Sequence, residues 1–225
     1  VLHFVNLVWN AFLSGIVTVC HSMMLETGKP CSRRRRDVKL FVGKDDKRRV
    51  AAFRSTANHG GIIIVEETVD PSESSSSLTL VHERTRISQP NAAFKYLSLL
   101  AHTYPSDLNE ASVVDQWVEM HDHFAKVFDI GVAPSRFGLS ETFELGPHRA
   151  FVASEHIPRY LGHIDAELEK TDERWLGNLK TISMADIAWF TTLTWLQNGG
   201  VRGVDATFLR EYPRILAYID DVRAQ

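Results

Sequence analysis

The sequence predicts two unlike halves: an α/β half of strands alternating with helices up to about residue 102, then an all-helical half from about residue 103 to the end. Three observations predict this. Ile62-Ile63-Ile64-Val65 is a continuous β-branched run of the kind found in a central strand buried on both faces. Beyond Tyr104-Pro105-Ser106-Asp107, the apolar residues recur at helical spacing only. Ser183-Met184-Ala185-Asp186 is a capping signature ahead of a helix that is apolar almost all the way round, and a helix without a polar face belongs inside a domain.

The α/β half is built element by element. Val1 to Leu7 reads as a strand and Trp9 to Glu26 as a helix ended by Gly28 and Pro30. Phe4 to Leu25 is also apolar enough for a membrane span, with Arg33 to Arg36 as its cytoplasmic anchor. Asn6, Asn10, Ser14, Thr18 and His21 are each costly in hydrocarbon, so the buried first helix of an α/β unit is the better reading. Val38 to Val42 follows as a second strand, Lys44 to Thr56 as an amphipathic helix, and Ile62 to Val65 as the central strand. Glu66 to Ser77 is a turn whose serine run reads as solvated loop, and Leu78 to Arg86 is one last strand. Gln89 to Ala101 is a helix with Pro90 at a position where a missing N–H does no harm. Strand, helix, strand, helix, strand, strand, helix is the order of a thioredoxin-like domain.

In the second half the helices run from Leu108 to Ile130, from Arg149 to Lys170 with a kink at Pro158, from Met184 to Gln197, and from Pro213 to Ala224. Asn198-Gly199-Gly200 stops the third of these. At its start, the Ser183 hydroxyl is placed to accept the Asp186 N–H while the Asp186 carboxylate reaches back to the N–H of Ser183.

The composition, 44% hydrophobic and 24% charged, is that of an ordinary globular protein. A net charge of −3 gives no general pull toward nucleic acid or anionic membrane, and the four arginines at 33 to 36 are diluted by Asp37, Asp45 and Asp46. Cys20 and Cys31 make neither a C-x-x-C nor a zinc spacing, which fits a reducing, cytoplasmic setting. His121 and His123 point to opposite sides of a helix, so no metal site is expected.

Five stretches of the second half resemble the glutathione transferases of the sigma and mu type. They are Thr103 to Ala111, Val114 to Trp117, Ile157-Pro158-Arg159-Tyr160-Leu161-Gly162-His163, the capped Ser183 to Asp186, and Phe208 to Ile215. The resemblance implies a thioredoxin-like domain over residues 1–102 and an all-α transferase C-terminal-like domain over 103–225. It also implies a twofold homodimer, and glutathione as the small molecule bound.

The family's glutathione contacts are matched only in fragments. A tyrosine near the end of the first strand donates to the glutathione sulfur, and Phe4, which has no donor, aligns there. A shift of one residue brings His3, whose imidazole can in principle do a related job. The cis-proline before the third strand aligns with Ile64, for which a cis bond costs about 2.5 to 4 kcal/mol, so a trans bond and an altered clamp are expected. The Gln-Ser pair ahead of the third helix aligns with Gln89 and Pro90, which loses the hydroxyl and the N–H, with Ser88 adjacent as a partial substitute. Trp117, Met120, His121 and Phe124 fall on the helix that lines the family's apolar-substrate pocket, where interdomain packing is an equal alternative. Two functions follow from the resemblance. One is a transferase homologue that binds glutathione weakly, has little or no activity, and serves as a scaffold for apolar ligands or protein partners. The other is an active transferase or isomerase acting on small electrophiles.

Overall fold

The computed structural model describes residues 37–43, 47–68, 78–132, 145–200 and 205–225. The expected first strand and helix, the membrane-span alternative, both cysteines, and Phe4 and His3 lie outside them. Among the described residues no helix is long and apolar enough to cross a membrane.

The first described strand, β1 (Asp37–Val42), is the one expected second. It alternates as a strand over a core must, with Val38 and Leu40 fully buried and Asp37 and Lys39 exposed. Helix α1 (Lys47–His59) crosses to β2 (Ile63–Thr68), which pairs parallel to β1 with Val38 opposite Ile64. The strand β3 (Leu78–His82) returns antiparallel to β1, and β4 (Thr85–Ile87) pairs antiparallel with β3, giving the order β2-β1-β3-β4. Helix α2 (Pro90–Leu100) then packs on the same face as α1, with the rings of Phe53 and Phe94 5.3 Å apart.

Two expectations are corrected here. The β-branched run at 62–65 makes an edge strand, not a central one: among the described strands β2 is outermost, and Ile63 and Val65 are 39% and 42% exposed. Branching favours any strand, but which strands flank it is decided by pairing. The stretch Leu78 to Arg86 is a hairpin instead of one strand, turning at Glu83, whose φ of 53° is left-handed. Such turns usually announce themselves by glycine or asparagine, and here the signal is missing.

The helical half follows the expected order. It comprises α3 (Leu108–Val132), α4 (Leu145–Phe151), α5 (Ile157–Lys170), α6 (Met184–Gln197) and α7 (Pro213–Arg223), with a short 3₁₀ turn at Ala206–Glu211. Between α4 and α5 the chain passes through a π turn, Val152–His156, just before the expected kink at Pro158. Proline has no N–H to give back to the preceding turn, and widening that turn absorbs the loss.

Helix α6 is the centre of the packing. Ala185, Trp189 and Leu193 are completely buried, and Trp189 donates its ring N–H to the Trp117 carbonyl of α3 at 3.1 Å. Burying side chains of this size is worth about 1.5 to 3 kcal/mol each. The linker is tied to the same helix, because the first N–H of α6, that of Met184, donates to the Thr103 carbonyl at 2.8 Å.

Candidate functional site

The N-terminal parts of α1 and α2 face the middle of α3 and α6 across a cleft. Its floor is apolar, formed by Ala52, Phe53, Phe94, Val118, Ala125 and Ala188. Its polar lining is Arg49, Asn91, His121, Asp122 and Thr191, with the buried Thr192 below them. His121 is fixed by a 2.8 Å hydrogen bond between its Nε2 and the Thr192 hydroxyl, and its ring meets that of Trp189 edge-on at 5.3 Å. Asp122 is held by Lys126 one turn on, at 2.7 Å. Arg49 reaches Asp129 of α3 at 3.3 Å.

Of the residues singled out from the sequence, the cleft brings together Pro90 and His121. Pro90 is the first residue of α2, and Gln89 before it has extended backbone and makes no side-chain cap. Ser88 faces the sheet, where its hydroxyl accepts from that of Thr79 at 3.3 Å. Ile64 sits inside β2, and the described residues contain no cis peptide bond. Trp117 and Phe124 point into the core. The Trp117 carbonyl holds Trp189, and Phe124 lies among Phe128, His156, Tyr160 and Trp189 at ring separations of 4.7 to 5.2 Å. Met120 is partly buried against the same core. The cleft face of α3 therefore carries Val118, His121, Asp122 and Ala125. The sequence reading missed Val118, Asp122 and Ala125, although their spacing of three and four marks one helix face.

His156 stacks on Phe124 at 5.2 Å with the ring planes 11° apart, and bonds through Nε2 to the Phe124 carbonyl. Burial lowers its pKa, the carbonyl opposes that, and Arg159 and His148 add to the lowering. Its place is the aromatic core, away from the cleft. Among the described residues no group of three metal-ligating side chains comes together.

The capping box at Ser183 is present, and its carboxylate does more than the box requires. Asp186 is fully buried and accepts from the Ser183 N–H at 2.8 Å, the Ser183 hydroxyl at 2.7 Å, the Leu176 N–H at 2.9 Å and the Tyr218 hydroxyl at 3.0 Å. Burial pushes the Asp186 carboxyl pKa up in spite of these donors, and burial beside Asp186 pushes the Tyr218 hydroxyl well up.

Residues 115–221 match the family model for the glutathione S-transferase C-terminal domain. The helical half therefore carries a glutathione S-transferase C-terminal domain. The described fold of the chain agrees with solved transferase-like structures. A structure of rat hPGDS complexed with a quinoline is 17% identical, covers 84% of this chain and 91% of its own, and has a TM-score of 0.65. Monomeric Na-GST-3 from the hookworm Necator americanus is 14% identical, with 84% and 92% covered and a TM-score of 0.68. A glutathione S-transferase from Methylobacillus flagellatus with glutathione bound is 18% identical, with 82% and 93% covered and a TM-score of 0.62. No match is found among curated protein sequences. At these identities the likeness to a transferase is one of fold, and it assigns neither the sigma nor the mu subclass.

Proposed function

We propose that this protein is a glutathione S-transferase homologue with a degraded glutathione site and weak or no transferase activity, whose cleft serves as a scaffold for apolar ligands or a protein partner. The observation that carries this is Pro90. A transferase would use an N–H and a hydroxyl at this point to hold the γ-glutamyl carboxylate on the helix N-terminus, and proline supplies neither. Ser88, the nearest substitute, already has its hydroxyl engaged with Thr79.

The strand order supports the same reading. With β1 as the first strand, the position of the sulfur-facing tyrosine falls near Phe41 and Val42, and the entry to the third strand falls at Leu78. None of these side chains has a hydroxyl to offer, and Leu78 is not a proline. Each lost hydrogen bond to a charged group costs about 1 to 3 kcal/mol, so the losses carry a micromolar dissociation constant toward millimolar. On this reading the thioredoxin-like domain lies within residues 1–102 and the helical domain within 103–225. The assembly is a homodimer in the cytoplasm, as is common in the superfamily, and neither metal nor nucleic acid takes part.

An active transferase or isomerase is the second reading, favoured by the glutathione-bound Methylobacillus structure of the same fold. Calorimetric titration with glutathione, followed by a general conjugation assay, separates the two. The proposal expects binding no tighter than millimolar and no turnover. Sub-millimolar binding with measurable turnover in the unaltered protein overturns it.

A further inference from the structure

We infer that two ion pairs at the ends of the cleft form an electrostatic clasp, so that admission of an apolar ligand is set by ionic strength. The inference rests on the cleft being the binding site. Along α3, Asp115, Val118, Asp122, Ala125 and Asp129 follow each other at intervals of three and four and so form one stripe. The middle three line the cleft. The two ends are carboxylates about 21 Å apart along the helix, and each is paired with a cation from the α/β half.

At one end Lys95 of α2 meets both oxygens of Asp115, at 3.0 and 2.9 Å. The Tyr104 hydroxyl donates to the same carboxylate at 3.0 Å, while the ammonium lies 4.4 Å from the centre of the Tyr104 ring. At the other end Arg49 of α1 meets Asp129 at 3.3 Å. The Lys95 and Asp115 side chains are 41% and 47% exposed, those of Arg49 and Asp129 33% and 27%. Pairs so open to water are weak and readily screened, while the apolar floor between them does not respond to salt. Salt therefore loosens the ends of the cleft and leaves its lining intact.

The test uses an uncharged apolar dye, N-phenyl-1-naphthylamine, whose own salting-out is the same for parent and variants and so cancels in their comparison. In stopped flow, its association rate should rise about threefold between about 0.05 and 0.5 M NaCl, the scale of one exposed ion pair. Lys95 and Asp115 do not line the cleft, so they are the residues to change. The Lys95→Met/Asp115→Asn variant should bind fast at low salt with the salt response largely gone, and the exchanged pair Lys95→Asp/Asp115→Lys should restore it. Thermal melting close to the parent establishes that both variants fold. Equal rates and equal salt slopes in parent and neutral variant overturn the clasp.

A readout without ligand separates the two ideas. Spin labels at Leu99→Cys and Glu119→Cys, with Cys20 and Cys31 changed to serine, should show a broader α2–α3 distance distribution at high salt. An unchanged distribution overturns the clasp. A distribution that responds, with dye binding that is indifferent to Asn91→Trp in the cleft rim, leaves the clasp standing and overturns the cleft as the binding site.

Discussion

Helices α6 and α2 both begin after a polar residue in extended backbone, Ser183 and Gln89, and their ends are finished in opposite ways. At α6 the capping box is closed, and the Asp186 carboxylate collects donors from the cap, from Leu176 and from Tyr218. At α2 no side chain caps the helix, and its first residue is a proline beside a cleft. A buried helix end must satisfy its backbone groups within the protein, whereas an end at a cleft leaves them for water or a ligand. On the proposed function, the contrast separates the part of the chain that holds the fold from the part offered to other molecules.

The largest test of that contrast is Asp186→Ala. It strands buried N–H groups and the Tyr218 hydroxyl together, and should cost about 4 kcal/mol in urea unfolding. A cost below about 1 kcal/mol would mean that the closed end does not hold the fold. Next comes Pro90→Ser, which restores an N–H and a hydroxyl at the open end. It should tighten glutathione binding by about tenfold in calorimetry while moving the melting temperature little. Unchanged affinity would show that the open end is not where the carboxylate would sit. Ser183→Ala should cost about 1 to 2 kcal/mol, less than Asp186→Ala, because the carboxylate keeps its other donors. If the two variants unfold at the same urea concentration, the extra donors on Asp186 carry no weight.

The smallest effect is on pH dependence. Burial holds the His156 pKa below its unfolded value, so the unfolded chain takes up the proton first as pH falls. Its contribution is intact above the unfolded pKa near 6.5 and is lost as pH falls through the lower folded value. Asp186 is shifted upward and works in the other direction, its contribution present in acid and lost as pH rises through its folded pKa. Urea midpoints of the parent should therefore fall more steeply from pH 7 to 5.5 than those of His156→Gln. Parallel curves would show that His156 is not held neutral by burial.

Much of the helical half was legible because its signals are local. The Ser183 to Asp186 cap, the Asn198-Gly199 stop and Pro213 each place a helix end by backbone chemistry alone. In the α/β half the described elements fall in the expected order, but the place of the Ile62 to Val65 run in the sheet was misread, because short apolar strands look alike and only pairing says which lies in the middle. The β3–β4 turn escaped notice because Glu83 occupies a conformation usually left to glycine or asparagine. In the site, the sequence identified α3 as a wall but not which of its faces is exposed. Trp117 and Phe124 are large and apolar and so looked like pocket residues, yet both are buried in the core, and the smaller Val118 and Ala125 line the cleft.

The π turn at Val152–His156 carries one residue more than the α turn it stands in for. Each residue adds about 100° of rotation, so everything from Ile157 onward is turned relative to α4 by that one addition. Ile157, Leu161 and Ile164 face the core because of it, and a deletion of one residue there would aim a different stripe of α5 inward.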